Sequence, residues 1–218
     1  MGSTQMRFQE TPAEAGLRRL QYLADVAAGP SGSLLGNLSN RPDGVPVLSP
    51  QDLGDGPYGV RENELRRVPW ADYQKLGRFT LQEDDLVLVR QGSIGRLALV
   101  TAKQSGWLYG SSCLRVRPNQ ELVSAPFLAY YLSHPPVQKS LLERALPGTV
   151  PSLNTQVLNE FPVAVPPLKR QLQIVGTMTA LEDSIAAQHA IVERLKSLRP
   201  AVLDELMRKP QQHAYRNG

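Results

Sequence analysis

Leu86-Val87-Leu88-Val89-Arg90-Gln91-Gly92-Ser93-Ile94-Gly95-Arg96-Leu97-Ala98-Leu99-Val100 holds two short apolar runs around a connector with two glycines. Runs of this length suit buried strands and are too short for helices of ordinary length. Gly92 and Gly95 supply the backbone freedom that a tight connection needs. Glu83-Asp84-Asp85 leads into the first run. The stretch therefore predicts a pair of strands at the heart of a β-rich domain.

Working outward, Trp107-Leu108-Tyr109 and Cys113 to Val116 read as further strands, with Gly110 and Ser111 between them. Leu17, Leu20, Leu23 and Val26 recur at a spacing near three and mark the start of order. Residues 29–44, rich in Gly, Ser, Asn and Pro, read as loop. After Glu121 the character turns helical. Pro126 to Leu132 carries a proline in its first turn and stops before Pro135-Pro136. Val137 to Leu146 reads as another helix, with Gly148 just past its end. Asn154 is a good N-cap for a short helix through Leu158, stapled by Leu153 and Leu158. Phe161 to Val165 returns to extended chain, which Pro166-Pro167 ends.

From Lys169 the pattern changes. Ile174, Met178, Leu181, Ile185, Gln188, Val192, Leu195, Arg199, Val202 and Leu206 alternate at spacings of four and three, a heptad seam. Gln188 is a polar break of the kind that fixes register. Residues 169–199 would form a rod of roughly 46 Å at 1.5 Å per residue. Pro200 is expected to kink or end it near Arg199. A stripe of that length must be covered, by another copy or, as the alternative, by the chain's own domain. The expected organisation is a tail (1–16), a β-rich domain (17–167), a helix (168–209) kinked near Pro200, and a second tail (210–218). The fold class is α+β.

Composition narrows the function. The 218 residues include 41% hydrophobic ones, ordinary for a soluble globular protein. The apolar runs are too short to span a bilayer, so a cytoplasmic or nuclear protein with no membrane partner is expected. The single cysteine, Cys113, excludes an internal disulfide and reads as a strand core residue. The net charge is +4. Ten Lys or Arg face six acids between Val60 and Gln120, and three of those acids share one turn, so the remaining surface there is more basic.

The catalytic inventory is thin. His134-Pro135-Pro136-Val137 and Val165-Pro166-Pro167-Leu168 do not match the Asn/Asp-Pro-Pro-aromatic signature of an adenine methyltransferase. His134, His189 and His213 are too scattered for a metal site. Glu182 and Asp183 read as a solvated helix face. Gly29-Pro30-Ser31-Gly32-Ser33-Leu34-Leu35-Gly36 lacks the Gly-Lys-Ser/Thr of a phosphate loop. No catalytic residue and no cofactor is assigned to the chain.

Three stretches together resemble the specificity subunit of type I restriction–modification systems. They are Asp84 to Val100; Ala145-Leu-Pro-Gly-Thr-Val-Pro-Ser-Leu-Asn154 with Phe161-Pro-Val-Ala-Val-Pro-Pro-Leu-Lys-Arg-Gln171; and the heptad helix ending in Ile191-Val-Glu-Arg-Leu-Lys-Ser-Leu-Arg199. Their order and spacing over residues 17–207 carry the match. Lys169-Arg170-Gln171 stands where the family has x-Glu-Gln.

The resemblance implies that the β-rich part is a target-recognition domain reading one half of a split double-stranded DNA site. It implies that the helix is a spacer that also binds the methyltransferase subunits, with a restriction subunit as a further partner. Family members carry two domains and two spacers; this chain has one of each and no internal repeat. A half-size subunit is therefore expected, acting as a homodimer with an antiparallel coiled coil over inverted half-sites. S-adenosylmethionine is expected on the partner methyltransferase, and the bacterial cytoplasm is the expected compartment.

On that reading Arg90, Gln91, Ser93 and Arg96 flank the glycine turn as base-edge contacts, since Arg and Gln suit guanine and adenine. Tyr109, Ser111, Ser112 and Arg115 are second choices. Arg61, Arg66, Arg67 and Lys103 are expected at phosphates. The alternative for Arg90 and Arg96 is an ion pair with Asp84 or Asp85. Thr149, Ser152 and Asn154 are expected to cap and turn the chain. Ile174, Met178, Leu181, Ile185, Gln188, Val192 and Leu195 form the expected partner-helix seam. Other classes remain open: a coiled-coil protein scaffold, a module of another phage-defence complex and, least favoured, a stand-alone enzyme.

Overall fold

A computed structural model describes residues 16–54, 59–146, 148 and 151–208 of the chain. The expected tails, with His213, lie outside the described residues, apart from Gly16, and so does Thr149. Nine strands and five α-helices follow in order among the described residues. The N-terminal half contains β1 (Gly16–Arg19), β2 (Ala24–Ala28), β3 (Val45–Leu48), β4 (Arg67–Val68), α1 (Trp70–Tyr73), β5 (Leu86–Val89) and β6 (Leu97–Leu99). Then come β7 (Leu108–Tyr109), β8 (Cys113–Pro118), α2 (Ala125–Ser133), α3 (Pro135–Glu143), α4 (Thr155–Asn159), β9 (Pro162–Val165) and α5 (Leu168–Arg208).

The middle layer is a four-stranded antiparallel sheet in the order β2-β8-β5-β6. Alternate residues of a strand point to opposite faces, and both faces of this sheet are covered. Leu86, Leu88, Leu97, Leu99, Leu114 and Val116 pack with α2, α3 and α4 in one core. Val87, Val89, Ala98, Val100 and Cys113 pack in a second core with the smaller sheet β4-β3-β7. Burial on two sides explains why β5 is an unbroken Leu-Val-Leu-Val run rather than an alternation with polar residues. A third ribbon pairs β1 with β9, bringing Gly16 to Val165.

Most local expectations are met. Ser124 caps α2, its hydroxyl accepting the Phe127 N–H, with Pro126 in the first turn. Asn154 caps α4, its Oδ1 accepting the Val157 N–H at 2.8 Å. Leu153 and Leu158 are both fully buried in the first core. Cys113 is a buried core residue, and burial pushes its thiol up to about 12.

Others are corrected. The expected helix Val137–Leu146 begins at Pro135, because prolines are tolerated in a first turn, and ends at Glu143. Leu146 instead bridges Ser152. The region 29–44 includes a 3₁₀ turn at Gly32–Leu35. The near-three spacing of Leu17 to Val26 spans two strands and a 3₁₀ turn, not one element.

Pro200 does not end the last helix. α5 runs unbroken through it to Arg208. The carbonyl that loses its partner there lies on a fully exposed stretch, where water can satisfy it.

The chain divides into two compact units, Met1–Val175 and Gly176–Gly218. The root of α5 therefore belongs to the globular unit, where Ile174 and Val175 pack against the first core. In the second unit Leu181, Ile185, Val192 and Leu195 are about half exposed, at 51, 46, 45 and 59%.

Candidate nucleic-acid interface

The connector between β5 and β6 is a tight turn closed by Val89 N–H to Arg96 O at 2.8 Å and Gly95 N–H to Val89 O at 3.1 Å. Gly92 and Gly95 take positive φ values of 81° and 86°, where a side chain is strained. A Cβ on Gly95 would also strike the Gln138 carboxamide, whose Nε2 donates to Gly95 O at 2.9 Å. This pinned turn leaves Gln91 and Ser93 exposed.

Two other segments close on it. Arg90 N–H donates to Ser112 O at 3.0 Å, and Leu153 N–H to Arg90 O at 2.9 Å. Gln91 bridges Ser152. The β7–β8 turn is held in turn by Gly110 N–H to Leu48 O at 2.7 Å and by Gly29 N–H to Cys113 O at 3.1 Å. Gly29 approaches so closely that a Cβ there would lie 2.0 Å from Gly110 O. Close approach, not phosphate binding, is what this glycine supplies.

Beside this turn opens a cleft of ≈ 300 Å³ lined by Ser49, Arg66, Ser111 and Ser112 among others. Arg66, Ser111, Ser112, Arg90 and Gln91 thus lie within one connected patch although they come from three separate segments. Arg66 is anchored through its backbone, its carbonyl accepting Val47 N–H at 2.9 Å, while its side chain is exposed. Arg90 is half buried, and its Nε has no hydrogen-bond partner among the described residues.

The other expected contacts are placed differently. Tyr109 is fully buried, edge-on to Phe79 at 6.2 Å, and burial pushes its hydroxyl up to about 12. Arg115 is also buried and pairs with Asp25 across β2 and β8. Tyr109, on β7, faces the second core, and Arg115, on β8, lies in the central sheet, which is covered on both faces. Arg96 turns inward to the Leu53 carbonyl and to Gly54 O at 3.4 Å. Arg67, on β4, donates to Gly44 O at 3.1 Å. These two arginines hold loops in place. Lys103 sits at the opposite end of the β5–β6 hairpin and pairs with Glu62 at 2.6 Å. That bond holds the Glu62 carboxyl below its ordinary value. Arg61 is exposed, its N–H donating to Asp52 O at 2.6 Å.

The ion pair considered for Arg90 or Arg96 forms elsewhere. Asp85 accepts two bonds from Arg117, each 2.7 Å. Ile174 packs inward, so the apolar seam offered outward starts at Met178.

Ser49 was not singled out from sequence, yet it lines the cleft. Its signal was present: Ser49-Pro50-Gln51-Asp52 forms a capping box, with Ser49 N–H donating to Asp52 Oδ2 at 2.8 Å. Gly29 and Gln138 carried no signal, because close approach and a distant side-chain bond leave no periodicity. Among the described residues no group of three His, Cys, Asp or Glu could hold a metal, and no helix is long and apolar enough to cross a membrane.

The chain is similar to proteins of one family. Residues 45–197 match the family described as the Type I restriction modification DNA specificity domain. The chain is 22% identical over 206 residues to the putative type I restriction enzyme MjaX specificity subunit of Methanocaldococcus jannaschii, covering 92% of this chain and 47% of that protein. It is 24% identical over 170 residues to the type I restriction enzyme EcoBI specificity subunit of Escherichia coli, covering 76% of this chain and 35% of that one. The fold is shared with the HsdS subunit from Thermoanaerobacter tengcongensis at a TM-score of 0.57 and 18% identity, over 92% of this chain and 46% of that one. It is also shared with the S subunit of a type I restriction–modification system from M. genitalium at 0.55 and 15% identity, over 88% of this chain and 46% of that one. The chain spans about half the length of the relatives it matches. With the family match running over most of the globular unit and into α5, this chain belongs to the type I restriction–modification DNA specificity family.

Proposed function

We propose that this chain is a non-catalytic DNA-recognition subunit that works as a homodimer. Each globular unit reads one half-site of double-stranded DNA, and the exposed seam of α5 joins two copies in an antiparallel coiled coil. The two-fold symmetry then demands inverted, identical half-sites at a fixed gap. A methyltransferase subunit, carrying S-adenosylmethionine, performs the chemistry, and a restriction subunit is a further partner.

The observation that supports this most is the convergence of Arg66, Arg90, Gln91, Ser111 and Ser112 on one end of the central sheet. Arg90 and Gln91 offer the side-chain forks that guanine and adenine edges accept. Arg66 and the serines suit phosphate oxygens, which position without specifying. The bare stripe on α5 supports self-association, since Leu181, Ile185, Val192 and Leu195 expose apolar surface that a lone helix would leave in water.

The test is the solution mass of the full chain and of the double variant Ile185→Asp, Val192→Asp. The proposal expects a dimer that becomes a monomer. A wild-type monomer at micromolar concentration would sink the homodimer and leave the seam to the methyltransferase or to a different half-subunit.

A further inference from the structure

Gln138, in the first turn of α3, gives both hydrogens of its carboxamide nitrogen to backbone carbonyls of two other segments. Nε2 donates to Gly95 O at 2.9 Å, in the turn between β5 and β6, and to Leu132 O, in the last turn of α2. Carbonyls of a last helical turn have no partner within their helix, so the Leu132 oxygen needs one from outside. One side chain thus ties the α2–α3 junction to the turn that carries the candidate base readers.

That turn has an inner and an outer side. Inside, Ile94 is buried in the first core, and Gly95 is buried against Gln138. The fit at Gly95 is close: a Cβ there would lie 2.1 Å from Gln138 Oε1. Outside, Gln91, Gly92 and Ser93 are exposed. The bonds between Val89 and Arg96 and between Gly95 and Val89 close the hairpin on itself. They do not fix it against the rest of the domain. Two sets of tethers do. Arg90, on the near limb, is held through its backbone by Ser112 and Leu153. The far limb is held at Gly95 by Gln138, and next to it by the Arg96 side chain on Leu53 O. The exposed tip is suspended between these two anchored limbs.

We infer that Gln138 is a positioning residue for base reading: by anchoring the far limb of the β5–β6 turn to α3, it fixes the place from which Gln91 meets a base edge. The inference rests on the DNA reading proposed above. It assigns Gln138 itself no contact with DNA.

The experiment uses the full chain and two variants. Gln138→Met keeps the length and removes both donors; Gln138→Glu keeps the shape and turns a carboxylate toward two carbonyls. In the free protein, the Gly95 and Arg96 amides should exchange with solvent about tenfold faster in both variants. Amides of β5 and β8 should keep their rates. For DNA, the probe is the motif that the wild type recovers from a randomised duplex pool, against a scrambled duplex. Gln138→Met, which adds no charge, should lower the preference for the motif about tenfold and leave affinity for the scrambled duplex within about twofold. In a chain already carrying Gln91→Ala, it should cost no further preference, because the two residues act as one unit.

Unchanged exchange in both variants overturns the inference. So does an equal loss on motif and scrambled duplex, or a loss that adds fully to that of Gln91→Ala, since either marks a role in folding alone. Unfolding of both variants overturns it for the same reason. A wild type that recovers no shared motif defeats the DNA reading, and the exchange rates then decide separately whether Gln138 holds the turn.

Discussion

Asp85 and Arg117 face each other across β5 and β8, joined by two charge-assisted hydrogen bonds of 2.7 Å. Asp85 is fully buried, and its carboxylate also accepts the Gln82 N–H at 2.8 Å. Its hydrogen bond raises the Arg117 guanidinium above its ordinary value. The pair closes the end of the central sheet remote from the Arg90–Arg96 turn.

Breaking that pair should be costly. Asp85→Ala leaves a guanidinium partly buried without its partner, and losses of about 3–5 kcal/mol are typical for fully buried pairs. Arg117 is 31% exposed, so water recovers part, and a loss of about 2–3 kcal/mol is expected from urea unfolding. DNA contacts at the opposite end should be spared in whatever fraction stays folded.

Glu62 provides a pH signature. Its folded value is depressed by the Lys103 bond, so its contribution is present above the ordinary value of 4.5 and is lost as pH falls through the lower folded value. A carboxyl titration by NMR should place its midpoint below 4.5 in the wild type and return it toward that value in Lys103→Met. An unchanged midpoint in the variant would remove Lys103 as the cause.

Gly29→Ala should disturb the interface without touching it. The added methyl would meet the Gly110 carbonyl at 2.0 Å, so β2 and the β7–β8 turn must separate. The expected result is weaker DNA binding together with a lower melting temperature. Gly176→Ala should do the reverse to the helix. Its Cβ would meet nothing within 4 Å, and removing a glycine from a helix interior is worth about 0.5–1 kcal/mol.

Arg66 and Arg90 should separate in a salt titration. Arg66→Ala removes an exposed cation beside the cleft and should lower the salt dependence by about one phosphate contact, leaving sequence preference intact. Arg90→Ala should relax preference at one position of the half-site, at a cost of about 1–3 kcal/mol. Equal effects on specific and random duplexes from both variants would remove Arg90 as a base reader.

Much of this was legible because it is local. Leu86–Val89 and Leu97–Leu99 announce themselves by length and by flanking glycines, and Asn154 by its place before a short helix. β3 was not legible, since Pro46 argues against a strand. It is tolerated because Val47, not Pro46, supplies the N–H on that side, donating to Arg66 O just before β4, and β7 pairs only with Val47 and Leu48. The site was half legible. Arg90, Gln91, Ser111 and Ser112 were visible as polar loop residues, and the structure brings them together. Tyr109 and Arg115 are buried for reasons no local pattern carries: Tyr109 on β7 packs into the second core, and Arg115 on β8 lies in a sheet covered on both faces. Arg96 and Arg67 have the residue type of ligand contacts, yet they spend donors on the chain's own carbonyls, a long-range pairing that no sequence window contains.

Two-copy recognition of DNA is tested most directly by selecting bound DNA from a randomised duplex pool with the full chain at low salt, followed by sequencing. A homodimer should recover one short motif occurring twice, inverted, at a single gap length. A motif that occurs once, or enrichment without any shared sequence, would contradict it.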